Sequence, residues 1–547
     1  MKRLAVLFIL LLSAATAARA ASPSQGMVVS AHTQATQAGI DVLNRGGNAF
    51  DAAAATALAL GVVEPGSSGI GGGGFFLLYI AKQHRYVMID ARETAPQLAG
   101  HGEIYRKASS IDGPQAAGVP GLIAGVDRLI GYYGRLGRKA DTAAAIRLAR
   151  HGFAVYPRYR KLAGWRRKAL QKNMAGRMFL DHGKVPAIGH TIRQPVLART
   201  LARFARFGAS DFYRGQTADR LVSDMKRDGG LIRLKDLAAY RAVERKPVQF
   251  DYHGYHIVSA SLPSSGGRVL AEIFGMLRHD DFSALSTVDR DHLLIETMKR
   301  AYRDRNAYLG DPAFVTVPDL LNPKRLQAIR DSIRMDRATP SSELGHSAAA
   351  HGDGHNTTHF SVIDSEGNMV AATLSVNYGF GSGYLSPSTG ILLNDEMDDF
   401  ATRPGEPNVY GLVQGKANAV APGKRMLSSM DPTFVVGPAR TLIVGTPGGS
   451  RIISMVLLAS MRFMLDETPP ADWVGHPRFH HQFLPDVVQH EPGAFPPDVA
   501  TELKRRGHKL KRIHRYGNME AILWDRSHDR LTGLPDPRGE GVAATTR

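Results

Sequence analysis

Apolar residues at Ala35, Ala38, Val42 and Leu43 follow a helical spacing and predict a helix over 33–44. Gly46-Gly47 ends it. Asn48 stands where its side chain can cap a second helix through Ala49 to Leu60. The run Gly69-Ile70-Gly71-Gly72-Gly73-Gly74 then leads into a continuous apolar stretch, Phe75 to Ile80, which reads as a buried strand. Residues 290–308 read as a helix stopped by Gly310-Asp311-Pro312. Residues 337–356 carry Leu344 as their one large apolar side chain and are expected to be exposed and mobile.

That polar stretch ends at Asn356-Thr357, where β-rich sequence begins. Thr358 to Asp364 and Asn368 to Val376 flank Ser365-Glu366-Gly367, a three-residue loop with glycine third. This is the pattern of a hairpin with a left-handed glycine bulge. Setting Asp364 opposite Asn368 brings Thr357 opposite Ser375, two hydroxyls side by side at the open end of the hairpin.

The chain has 547 residues, enough for one large or several ordinary domains. It contains no cysteine, which excludes disulfides, thiolate metal sites and a cysteine nucleophile. A mean hydropathy of −0.18 excludes a polytopic membrane protein. Lys2-Arg3, the apolar run Leu4 to Leu12 and Ala18-Arg19-Ala20 follow the order of an export signal cut after Ala20. The expected destination is a bacterial periplasm, with secretion as the other possibility. Three cations leave with that signal, so the net charge falls from +18 to +15. Positive charge is densest in two runs, Arg158 to Lys172 and Lys504 to Arg515. Neither carries interleaved aromatics for base stacking, so no nucleic-acid partner is expected, only a pull on anionic substrates.

Gly69-x-Gly71-x-x-Gly74 matches a dinucleotide fingerprint in letters, but helix precedes it and strand follows, the reverse of a phosphate loop. No cofactor is expected. His476, His480 and His481 lack a helical carboxylate–histidine spacing, so no metal is expected either. Thr357 is the stronger candidate. A threonine hydroxyl becomes a nucleophile when a base lies in reach. A chain break between Asn356 and Thr357 would free an α-amino group with pKa about 7.7–8.0, giving one residue both roles. Ser375 would orient the hydroxyl. Gly448 and Gly449, after the apolar Leu442 to Val444, can present N–H groups to an oxyanion, although a plain turn reads equally well. The segment Glu396 to Asp399 and the pair Ser428-Ser429 could hold the two charged ends of an amino acid; each alone is more often a solvated turn.

Asn356-Thr357-Thr358-His359-Phe360-Ser361-Val362 resembles the processing site of gamma-glutamyltranspeptidases. Asn394 to Phe400, Pro407 to Gly411, Ser428 to Met430, Pro447 to Arg451 and Pro477 to His481 continue the resemblance. Upstream, so do Gly46 to Ala52, Gly71 to Phe75, Arg92 to Pro96, Pro263 to Gly267 and Leu309 to Pro312. The resemblance implies an α/β (α+β) four-layer αββα sandwich of the N-terminal-nucleophile hydrolase type. It implies a precursor of residues 1–20 (signal), 21–356 (large subunit) and 357–547 (small subunit), the last two remaining together as a heterodimer. By the same resemblance Thr357 attacks the γ-glutamyl amide, Ser375 supports it, and Gly448 and Gly449 form the oxyanion hole. Arg92, Ser428 and Ser429 would hold the substrate α-carboxylate; Asn377, Glu396 and Asp399 its α-ammonium. Tyr410 falls in the segment that covers the pocket in some members. Glutathione and other γ-glutamyl compounds are the implied donors, and water, amino acids or dipeptides the acceptors. Two other readings stand beside this one: an acylase for glutaryl amides on the same scaffold, and a non-catalytic binder of anionic polymers.

Overall fold

The computed structural model describes residues 22–345, 356–406, 408 and 412–547. Its core is two sheets packed face to face. The first has seven strands in the order Val542–Thr545, Met27–Ser30, Thr358–Ile363, Met369–Ser375, Gly73–Ile80, Arg85–Ala91, Val243–Arg245. The second has six, in the order Arg530–Pro535, Glu520–Asp525, Arg440–Val444, Thr433–Val436, Tyr255–Ser259, Val248–Tyr252. Both draw strands from before and after residue 356, so neither half of the chain could complete a sheet alone.

Alternation along the strands sorts side chains between two cores. Val28, Phe76, Phe360 and Val370 face the helices Thr33–Asn44 and Ala49–Val63. Met27, Phe75, Ile363 and Met369 face the second sheet, beyond which lie the helices Gly266–Met276 and Ile452–Leu465. The result is helix, sheet, sheet, helix, the αββα sandwich.

Asn48 caps the helix Ala49–Val63 as expected, accepting from the Phe50 and Asp51 N–H groups, while Asp51 reaches back in a capping box. The helix runs three residues past the expected end because Leu60 to Val63 are buried. The helix expected over 290–308 is Thr287–Tyr308. The hairpin register is the one read from sequence: Met369 pairs Ile363 and Leu374 pairs Thr358. Gly367 has φ +82°, the left-handed position of the bulge.

The expectation of a wholly exposed segment at 337–356 fails at both ends. Ser341 is buried, its Oγ donating to Phe483 O at 2.8 Å and its N–H to Asp486 Oδ2 at 2.9 Å. Asn356 is also fully buried. Ser341 docks through its own hydroxyl and backbone N–H, which a hydrophobicity reading does not register. Residues 346–355 lie outside the described residues.

Asp431, fully buried, accepts from the Ser259 hydroxyl on the second sheet. Burial is the largest influence and pushes its carboxyl up to about 7, with the Ser259 and Thr433 hydroxyls opposing it. The unfolded chain releases this proton near pH 4 and the folded chain only near 7. Stability therefore falls as pH rises through that window. Asp431→Asn should flatten the fall, seen as a smaller drop in Tm between pH 4 and 7; an unchanged profile would show that Asp431 does not set it.

Candidate active site

Thr357 stands at the head of the Thr358–Ile363 strand and is 3% exposed. Its Oγ1 lies 3.3 Å from Ser375 Oγ and donates to Asn356 O at 2.5 Å. Ser375 Oγ also donates to Asn356 O at 3.3 Å and accepts from the Asn377 N–H at 2.8 Å. Both hydroxyls thus converge on one peptide carbonyl, that of Asn356. The glycine run makes this approach possible. A Cβ on Gly72 would fall 2.1 Å from Ser375 O, so no larger residue fits beneath the strand end. Asn377 sits at φ +71°, which asparagine tolerates better than most residues, and its Nδ2 donates to Asp395 O at 3.1 Å.

The cavity beside Thr357 is lined by Ser375, Asn377, Arg92, Glu396, Asp399, Ser428, Ser429 and Gly449. Its free volume is about 20 Å³, close to the space of one water molecule. Arg92 is fully buried. Its Nη1 lies 2.5 Å from Glu396 Oε2 and 3.5 Å from Glu93 Oε2, and its Nη2 meets Asp399. Burial acts to discharge the guanidinium, but Glu396, Asp399 and Glu93 outweigh it and raise its pKa. Burial also pushes the Glu396 carboxyl well above its usual range, against the pull of Arg92. The sequence reading set Arg92 at one pole of a substrate and Glu396 and Asp399 at the other. In the structure they share one ion cluster.

Ser428 and Ser429 are held by the segment Pro263 to Gly267. The Ser428 N–H donates to Pro263 O at 2.9 Å, and Ser265 Oγ donates to Ser428 O at 2.7 Å. Arg305, which sequence reasoning missed, donates from Nη2 to Ser429 Oγ at 2.9 Å and from Nε to Ser265 Oγ at 2.9 Å. It forms no ion pair among the described residues, and burial pulls its guanidinium down to about 10, still charged at neutral pH. The charge-rich run Lys299 to Arg305 looks like a solvated helix face. The one signal for Arg305 is its place one helical turn before the Leu309-Gly310-Asp311-Pro312 motif. Gln414 and Asn408 also line the cavity unforeseen.

Gly449 faces the cavity, and Gly448 precedes it at φ +148°. A side chain at Gly448 would strike Met455 Cε at 2.5 Å. His480 is occupied by Ser454 Oγ at 2.8 Å and Gln482 Oε1 at 3.0 Å, and His481 by Asp486 at 3.1 Å. Tyr410 lies outside the described residues.

A hydroxyl heading a strand of an αββα sandwich, beside a polar pocket and a glycine pair, places the molecule among N-terminal-nucleophile hydrolases. Comparison narrows this. The sequence pattern of gamma-glutamyltranspeptidase matches residues 35–546. The chain is 40% identical to the glutathione hydrolase proenzyme of Escherichia coli K12, over 94% of this chain and 90% of the relative. It is 37% identical to that of Pseudomonas aeruginosa, over 98% and 97%. Among solved structures it superposes on the cephalosporin acylase of Bacillus halodurans with TM-score 0.83 and 29% identity, over 96% of each chain. A chain of Helicobacter pylori gamma-glutamyltranspeptidase is 38% identical with TM-score 0.55, over 57% of this chain and 93% of that one. The protein belongs to the gamma-glutamyltranspeptidase family.

Proposed function

We propose that the chain is exported, cleaves itself before Thr357, and hydrolyses or transfers the γ-glutamyl group of glutathione and related compounds. The observation that carries the reading is the convergence of the Thr357 and Ser375 hydroxyls on the Asn356 carbonyl. In the first stage Thr357 Oγ1 attacks that carbonyl carbon. The C–N bond breaks, the hydroxyl proton passes to the departing Thr357 nitrogen, and an ester forms. Water then hydrolyses the ester, leaving an Asn356 carboxylate and a free Thr357 amine. Two facts support this stage. The E. coli and P. aeruginosa relatives are named proenzymes, and in the uncut chain the cavity beside Thr357 has free volume for about one water molecule while the Thr357 and Ser375 hydroxyls are both taken up by the Asn356 carbonyl.

In the second stage the freed amine takes the proton of its own hydroxyl, and Oγ1 attacks the γ-carbonyl of the donor. The N–H groups of Gly448 and Gly449 receive the developing oxyanion. The ammonium returns its proton to the leaving amine, and water or an acceptor amine then discharges the acyl-enzyme. Asp399 and Glu396 receive the substrate ammonium; Ser428, Ser429 and Arg92 receive its α-carboxylate. The two cleaved chains stay together because both sheets interleave their strands.

The superposition on a cephalosporin acylase keeps a second reading in play, that of a glutaryl amide acylase. A glutaryl group has no ammonium for Glu396 and Asp399, so the pocket would hold surplus negative charge. The expected result is at least about tenfold faster kcat/KM on γ-glutamyl-p-nitroanilide than on glutaryl-p-nitroanilide, from one charge-assisted hydrogen bond. A preference for the glutaryl compound would establish the acylase. Export is checked by N-terminal sequencing of the larger fragment, expected to begin at Ala21.

A further inference from the structure

The two basic runs of the sequence, unconnected with the reaction so far, meet in space. Arg158, Lys161 and Trp165 on the helix Pro157–Leu170 face Arg515 and Tyr516 across a cavity of about 470 Å³, with Arg538 in its wall. No carboxylate lines it. Arg158 is paired with Glu64, Nε to Oε1 3.4 Å, and its backbone N–H donates to Glu540 at 3.3 Å. Arg538 is paired with Glu491 and Asp536. Lys161 and Arg515 are exposed and form no ion pair among the described residues.

This groove adjoins the reacting bond. Trp165 packs on Tyr378 with ring centroids 4.2 Å apart. Next to Tyr378, a Cβ built on Gly379 would stand 3.1 Å from Trp165 Cζ3 and 3.0 Å from Asn356 Nδ2. The indole edge and the Asn356 side chain therefore flank the same glycine. The Asn356 amide is buried with neither Oδ1 nor Nδ2 hydrogen-bonded, so nothing anchors that side chain once the chain is cut.

We propose that this groove binds the free carboxylate of the amine partner: the leaving peptide in one direction of acyl transfer, the acceptor in the other. The inference rests on the acyl-transfer reading above. There the base is the Thr357 amine, so an acceptor nitrogen must come within hydrogen-bond reach of it. That is the place Asn356 gives up on cleavage. From it the acceptor extends past Gly379 to the Trp165 face, and a dipeptide spans about 7 Å. Lys161 and Arg515 then meet its carboxylate, and Trp165 its apolar side. Each half of the groove comes from a different side of the cleavage point.

The test uses the processed enzyme with γ-glutamyl-p-nitroanilide, whose leaving group has no carboxylate, and glycylglycine or glycylglycinamide as acceptor. In Lys161→Ala/Arg515→Ala, the glycylglycine concentration for half-maximal transfer should rise about tenfold, two exposed charges being lost. The amide acceptor should be unaffected, and hydrolysis without acceptor should stay within about twofold, since the changed side chains are exposed and neither lines the γ-glutamyl cavity. Lys161→Glu/Arg515→Glu should make the amide the better acceptor. Unchanged glycylglycine dependence in both variants, with hydrolysis intact, overturns the groove. Absence of donor hydrolysis in the parent enzyme would instead sink the acyl-transfer reading.

Discussion

Thr357→Ala will yield one uncut chain after export, with γ-glutamyl turnover lower by about 10⁴-fold or more. The size of the loss follows from the double use of one hydroxyl. Its oxygen is the attacking atom in cleavage and in catalysis, and without cleavage no amine exists to activate anything. The variant should still fold. Alanine keeps the Cβ, and the bonds surrendered are those from Oγ1 to Asn356 O and Ser375 Oγ, neither of which belongs to the sheet ladder. Thr357→Ser, which keeps the hydroxyl, should cleave and turn over. A denaturing gel, intact mass and initial rates decide the matter. A fragment beginning at residue 357 in the alanine variant, or turnover by it, would move the nucleophile elsewhere.

What the sequence reveals of this site is governed by local pairing. The Thr357–Ser375 contact was legible because a hairpin loop of fixed length sets the register of everything along it, and the strands follow that register to Leu374. The Asn48 cap was legible for a similar reason, one side chain acting three residues ahead. Arg305 was not legible. It lies within a run of charged residues, and its burial depends on Ser265 and Ser429, which only the folded chain brings to it. Nor could spacing show that Arg92 would lie against Glu396 and Asp399, separated from it by some three hundred residues. The docking of Ser341 onto Phe483 was missed because it uses backbone groups rather than apolar contact. The basic runs were visible as composition, but their meeting around Trp165 is a property of the fold.

The ion cluster carries the second large expectation. Of the two carboxylates assigned to the substrate ammonium, the Glu396 side chain is 1% exposed and the Asp399 side chain 15%. Asp399 therefore has the more surface to offer an incoming ammonium, and the more deeply buried Glu396 supports it from behind while also holding Arg92. Asp399→Ala removes a charge-assisted partner worth about 1.5–3 kcal/mol, which corresponds to a rise in donor KM of about 10- to 150-fold. Cleavage before Thr357 should continue, because the chain presents no ammonium to Asp399 during that step. Glutaryl-p-nitroanilide, which has none either, should lose little in the same variant. Asp399→Asn keeps the size and a hydrogen-bonding oxygen, so it separates loss of charge from collapse around Arg92, and it should show the same split between the two donors. Steady-state kinetics on both compounds reads the result. Equal weakening of both, or an unchanged KM for the γ-glutamyl donor, would show that Asp399 shapes the pocket without recognising the substrate.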